Sequence, residues 1–96
     1  MDLYNNEGAE LLIKAILSLK TEDEVKAYFN DILTIQELKS LSQRMEVAKM
    51  LLNNEQYSEI EKKTGASTAT ISRVNRCCRY GSDGYTLVFN KINKDK

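Results

Sequence analysis

The sequence predicts an all-α protein, on three observations. Proline is absent and glycine occurs only four times. No strict period-two run of β-branched residues marks a strand. Apolar residues instead recur at spacings of three and four, most plainly at Leu38, Leu41, Met45, Ala48 and Leu52, which is the periodicity of a helix with one buried face. Ninety-six residues without repeat, linker or low-complexity segment make one small domain, 1–96, of modest intrinsic stability.

Six helices are expected in order. The first covers about residues 7–19. In LLIKAILSL seven of nine residues are apolar, so this helix needs cover on most of its circumference. Two further helices of so short a chain hardly supply that, and a second copy of the protein is the expected cover. The second helix runs from about Glu22 to Ile32. Thr21 and Glu24 have capping-box spacing, and Val25, Tyr28, Phe29 and Ile32 form its apolar stripe. Thr34 and Glu37 repeat the pattern for a third helix reaching Leu52, where NNEQ breaks the chain. A short fourth helix, about Tyr57 to Lys63, precedes Gly65. A fifth starts near Ser67 and ends near Tyr80, stopped by GSDG. The last, from about Gly84, carries Tyr85, Val88, Phe89 and Ile92 on one side, and the closing NKDK is expected to fray.

The formal charge is zero, but it is divided unevenly. Residues 1–61 hold six Lys/Arg and twelve Asp/Glu, whereas residues 62–96 hold eight and two. From Lys62 to Ser82 there are five basic residues and no acid. Such a segment fits either an end that faces a polyanion or a solvated face balanced elsewhere in the fold. Other classes find little support. Histidine is absent, which removes the commonest general base and metal ligand. No zinc spacing or glycine-rich phosphate loop occurs, and no acidic pair sits in an obviously apolar setting, so neither an enzyme nor a metal site is expected. Cys77 and Cys78 are the only cysteines. Adjacent cysteines close no useful loop, so inert thiols in a reduced, cytoplasmic protein are expected. The longest apolar runs are three residues, far short of a membrane span, and no secretory signal is expected in the polar, acidic start.

Residues 57–80 have the form of a helix-turn-helix. Two helices that cross steeply after three or four residues need a positive φ in the turn, and Gly65 offers it without steric cost. Ile60, Ile71 and Val74 would form the small core that sets the crossing angle, and Ser67 would cap the second helix. Its opening residues Thr68, Ala69, Thr70 and Ser72 are expected to be exposed. They are short, polar or methyl-bearing, as suits a helix entering a major groove end-first. Lys62, Lys63, Arg73 and Arg76 flank that tip and would meet phosphates. Glu61, an acid beside the tip, is unusual in this setting.

The stretches LTIQELKSLSQRMEVAKMLL and YSEIEKKTGASTATISR resemble the Trp repressor family, especially repressor-related proteins of Gram-positive bacteria with no assigned corepressor. The likeness is close over about residues 33–80 and looser elsewhere. It implies a six-helix, intertwined homodimer whose N-terminal helices embrace the partner and whose two heads bind a palindromic operator in double-stranded DNA. Carried over by position, Thr68, Ala69, Thr70 and Ser72 match the family's DNA-facing tip. Glu61 falls where the repressor has a basic DNA-contacting residue. Arg44 and Arg73 match the two arginines that bracket tryptophan, and Thr34 matches another pocket residue. Val74 stands where the repressor has a glycine beside the ligand. The expected protein is therefore a transcriptional regulator, a repressor, working without tryptophan as corepressor and with no cofactor. Control by tryptophan or another small ligand, and a helical module that docks a protein partner, are the alternatives. Without a ligand, Arg44 is expected to pair with a nearby acid and Arg73 to touch a phosphate; in the docking module, acids from the first three helices would neutralise Arg73, Arg76 and Arg79.

Overall fold

A computed structural model describes residues 2–94. Among them lie six helices and no strand: α1 (Glu7–Ser18), α2 (Glu22–Ile32), α3 (Ile35–Leu52), α4 (Tyr57–Thr64), α5 (Thr68–Tyr80) and α6 (Gly84–Lys94). Asn93 and Lys94 of the NKDK terminus belong to α6, while Asp95 and Lys96 lie outside the described residues. Contacts group the chain into two units, one ending at Ile35 and one starting at Gln36.

The first unit holds α1 and α2. The Asn6 side chain accepts the Ala9 N–H at 2.8 Å and caps α1, whose first turn carries Glu7 and Glu10 at its positive end. Thr21 caps α2 by accepting the Glu24 N–H at 3.1 Å. The reciprocal bond differs from a standard capping box: Glu24 accepts the N–H of Lys20, one residue before the cap, at 2.8 Å. Tyr28 and Phe29 meet in a tilted pair with ring centroids 6.4 Å apart. No residue of either helix is buried; Leu17 is 77 % and Leu11 69 % exposed. Within this unit the greasy face of α1 is thus left bare.

The second unit contains the core: Val47, Ala48, Met50, Leu51, Ile60, Ala66, Ile71 and Val74, with Cys78, Tyr85 and Phe89 packed against it. The stripe expected on α3 needs correction. Of its five members only Ala48 is buried, and Leu38, Leu41 and Leu52 stay exposed. The core uses the C-terminal part of α3 through Val47, Met50 and Leu51, because that is the part that packs with α4 and α5. On α6, likewise, Tyr85 and Phe89 are half-buried while Val88 and Ile92 remain exposed.

The break after α3 is a Schellman turn. The Glu55 N–H reaches the Met50 carbonyl at 3.0 Å, and the Asn54 N–H reaches that of Leu51 at 3.0 Å. Asn54 takes a φ of +62° there, a conformation that asparagine tolerates better than most residues. At the end of α5 Gly81 donates its N–H to the Cys77 carbonyl at 3.0 Å. Its backbone passes so close that a Cβ would run into that same oxygen.

Candidate nucleic-acid interface

Helices α4 and α5 pack on each other and enclose three residues between them, Gly65, Ala66 and Ser67. Gly65 has a φ of +74° and its N–H bonds the Glu61 carbonyl at 2.9 Å, so the turn carries the left-handed residue expected there. No atom stands within 4 Å of where a Cβ would be. The whole cost of an added side chain is therefore backbone strain. Gly65→Ala should destabilise the fold by about 1–2 kcal/mol, read as a lower midpoint in urea, with Gly65→Asn losing less.

Three further contacts hold the turn. The Thr64 hydroxyl donates to the Ile60 carbonyl at 2.7 Å and accepts the Ala66 N–H at 3.1 Å. From α3, Gln43 Nε2 donates to the Thr64 carbonyl at 3.2 Å. Gln43 and Thr64 thus position the interface. Neither stands out in the sequence, since an amide and a hydroxyl 21 residues apart leave no spacing signal. Beneath the turn Ile60 and Ile71 are fully buried and Val74 nearly so; these are the three residues expected to fix the crossing.

Ser67 caps α5. Its Oγ accepts the Thr70 N–H and donates to Thr70 Oγ1, each at 3.1 Å. Thr68 and Ala69 are exposed at the tip, but Thr70 and Ser72 are only half-exposed, contrary to expectation. Turned back toward its own cap, Thr70 uses its Oγ1 to receive the Ser67 hydroxyl. Ser72 follows buried Ile71 in the chain. Ala69, Arg73, Arg76 and Tyr80, at spacings of four, three and four, share one outward face and are all exposed. Lys62 and Lys63 are exposed in the last turn of α4.

The electrostatics are as lopsided as the sequence. The one ion pair among the described residues is Lys26–Glu22, at 3.9 Å on α2. No described Asp or Glu pairs with Arg73, Arg76 or Arg79, and Arg79 gives its Nε–H to Asn75 Oδ1 at 3.1 Å. Glu61 has a specific partner: its Oε1 accepts the Thr68 hydroxyl at 2.6 Å, linking the two helices across the turn.

Of the residues that match a ligand pocket, three lie in the second unit. Val74 belongs to the core, Arg73 is exposed on α5, and Arg44 is half-exposed on α3. Arg44 lies within electrostatic reach of Tyr85. Burial raises the Tyr85 hydroxyl above its ordinary value, Arg44 opposes that rise, and Cys77 and Cys78 add to it. Thr34 lies in the first unit. The hollows around the second unit have other walls. One is mostly apolar and is formed by Met45, Cys77, Gly84, Tyr85 and Val88; another is formed by Leu51, Leu52, Asn75, Cys78 and Arg79. The adjacent cysteines therefore line different hollows. Burial pushes the Cys78 thiol above its ordinary value, with Cys77 adding to the rise and Arg79 opposing it, the reverse of an activated thiolate. Among the described residues no cluster of three or more Cys, Asp or Glu could hold a metal ion, and no helix is long and apolar enough to cross a membrane.

Comparison with known proteins agrees with this geometry. The family profile described as Trp repressor protein matches residues 7–93. The chain is 47 % identical over 96 residues to the uncharacterized protein YerC of Bacillus subtilis (strain 168), covering 98 % of this chain and 92 % of that protein. The crystal structure of a TrpR-like protein from Eubacterium eligens ATCC 27750 superposes with a TM-score of 0.89 at 55 % identity, over 93 % of this chain and 92 % of that one. A candidate Trp repressor from Staphylococcus aureus gives a TM-score of 0.88 at 43 % identity, over 93 % and 89 %.

Proposed function

The chain belongs to the Trp repressor family, and on that premise we propose that it is a transcriptional repressor of the cytoplasm that grips a palindromic operator in double-stranded DNA as a homodimer, without tryptophan as corepressor. The observation that carries this reading is the outward face of α5, which presents Arg73 and Arg76 to solvent with no acid paired to either. Free guanidiniums on a helix whose N-terminus is exposed suit a phosphate-lined groove. They do not suit a helical protein-docking module whose arginines are neutralised from within. In this assignment Lys62, Lys63, Arg73 and Arg76 meet phosphates. Ser67, Thr68, Ala69, Thr70 and Ser72 make the tip, with Thr68 and Ala69 foremost because they are the exposed residues in the first turn of α5. The site lies in one domain, 1–96, with its helix-turn-helix over about 57–80. A regulator of this kind performs no reaction.

The exposed leucines and isoleucines of α1 support the dimer. Leu11, Ile16 and Leu17 are all exposed on this one short helix, and clustered exposed apolar side chains mark a protein–protein contact. The absence of a tryptophan requirement is supported by Val74, whose side chain fills the core at the position where the repressor has a ligand-side glycine.

The test is selection from a random DNA pool, followed by titration of the winner at several salt concentrations. A two-fold dimer should return a palindrome whose half-sites lie one helical turn, or a multiple, apart. With roughly three or four phosphate contacts per head, log affinity should fall against log salt with a slope of about −5 to −7. Binding that ignored salt, or a selected site with no dyad, would refute the reading.

A further inference from the structure

The Glu61–Thr68 bond alters what the tip of α5 offers to a base. A threonine hydroxyl has one proton to donate and lone pairs to accept with. Here that proton is directed to Glu61 Oε1 at 2.6 Å. What remains outward on both side chains, each of them exposed, is oxygen lone pairs. The neighbouring Ser67 hydroxyl is also directed inward, to Thr70 Oγ1. The outward polar atoms of the Glu61–Thr68 pair are thus acceptors alone.

In the major groove the four bases differ in what they offer. Guanine shows two acceptors, N7 and O6; thymine shows an acceptor and a methyl group; adenine shows a donor beside an acceptor; cytosine shows the donor N4–H2 with no acceptor next to it. An acceptor-only pair is repelled by guanine O6 and thymine O4. It meets adenine's amino group next to the lone pair of N7. Only cytosine presents a donor free of that opposition. We infer that Glu61 is a specificity-determining residue: with its Oε1 bound to Thr68, the pair forms an acceptor-only reader that selects cytosine at one position of each half-site. The inference rests on the DNA-binding reading above and adds to it the identity of a base. It also accounts for an acid beside a phosphate-binding tip: the carboxylate lowers total affinity, and in return it discriminates between bases.

The experiment selects binding sites from a random pool with the full-length wild type, Glu61→Gln and Glu61→Ala, each shown by circular dichroism to be folded. Wild type should enrich cytosine at one pair of dyad-related positions, favouring it about five- to tenfold over the other bases. Glu61→Gln keeps an oxygen for Thr68 but adds an amide donor, so the same positions should move toward adenine, the partner of glutamine's amide. Glu61→Ala should lose the preference there, bind all sequences more tightly for want of the negative charge, and leave the other positions unchanged. If Glu61 only braced the turn, the variants would shift unfolding midpoints while selecting the same sites as wild type, and the inference would be wrong. A wild-type dyad without a cytosine pair overturns it as well, while leaving the DNA-binding reading intact. Failure of the wild type to enrich any sequence overturns both.

Discussion

Replacing Arg73 and Arg76 together with alanine should reduce operator affinity by roughly three orders of magnitude at 0.1 M salt while leaving the fold intact. Each cation that neutralises a phosphate releases counterions worth about 0.9 in the log–log slope. Two contacts per head make four per dimer, so the slope should become shallower by about three to four. Both side chains are exposed and neither has an ionic partner among the described residues. Unfolding midpoints should therefore move by no more than the ~0.5 kcal/mol typical of surface substitutions. The conservative pair Arg73→Lys and Arg76→Lys separates charge from geometry. Lysine keeps the charge and the slope but loses the planar fork that grips phosphate through two bonds, so affinity should fall by much less. Titrations of the operator by anisotropy at four or five salt concentrations give both numbers. An unchanged slope in the double-alanine variant would mean that this face of α5 points away from the duplex. Arg79 serves as a control from the same helix, since its Nε–H is already engaged by Asn75.

The frame of the interface could be read from the sequence because its determinants are local. A glycine forced to positive φ, a serine cap and an Ile-Ile-Val triad at helical spacing each leave a mark within a few residues of where they act. The helix ends followed from caps in the same way, Thr21 for α2 and Ser67 for α5. The face of α3 was less accessible. Several apolar stripes can be drawn along an 18-residue helix, and periodicity alone prefers the longest. Which stripe is buried depends on where α4 and α5 land, which is tertiary information, and they land on Val47, Met50 and Leu51. Thr70 and Ser72 illustrate a similar gap. Composition marks both as tip residues, but the cap that starts the helix turns Thr70 inward. The Gln43–Thr64 and Glu61–Thr68 bonds join residues 21 and seven apart, and only folding brings their partners together. Glu61 attracted notice in the sequence as a misplaced charge; its meaning emerges once its partner is known.

Val74→Gly should be a severely damaging change in the helix-turn-helix, although it installs the residue that the repressor itself carries there. Val74 is 2 % exposed and packs in one core with Ile60 and Ile71. Emptying that space forfeits about 1.5–3 kcal/mol of burial, and a glycine inside a helix costs about 1 kcal/mol more. The sum, about 3 kcal/mol, is a large part of the roughly 5–15 kcal/mol that holds a domain of this size, and should lower the midpoint of thermal unfolding by roughly 12–24 °C. The loosened α5 should also bind operator more weakly, because the valine holds the recognition helix at its crossing angle. Tryptophan should rescue neither property. The chain contains no tryptophan, so the fluorescence of the added amino acid can be followed against almost no background. Its emission maximum and anisotropy should stay constant during titration with wild type or variant. A Val74→Gly protein that melted like wild type, bound operator equally well and shifted tryptophan emission would show that the valine occupies a ligand site. A core residue gives the opposite pattern, since removing it leaves a void beneath the turn without assembling Arg44 and Arg73 around a ligand.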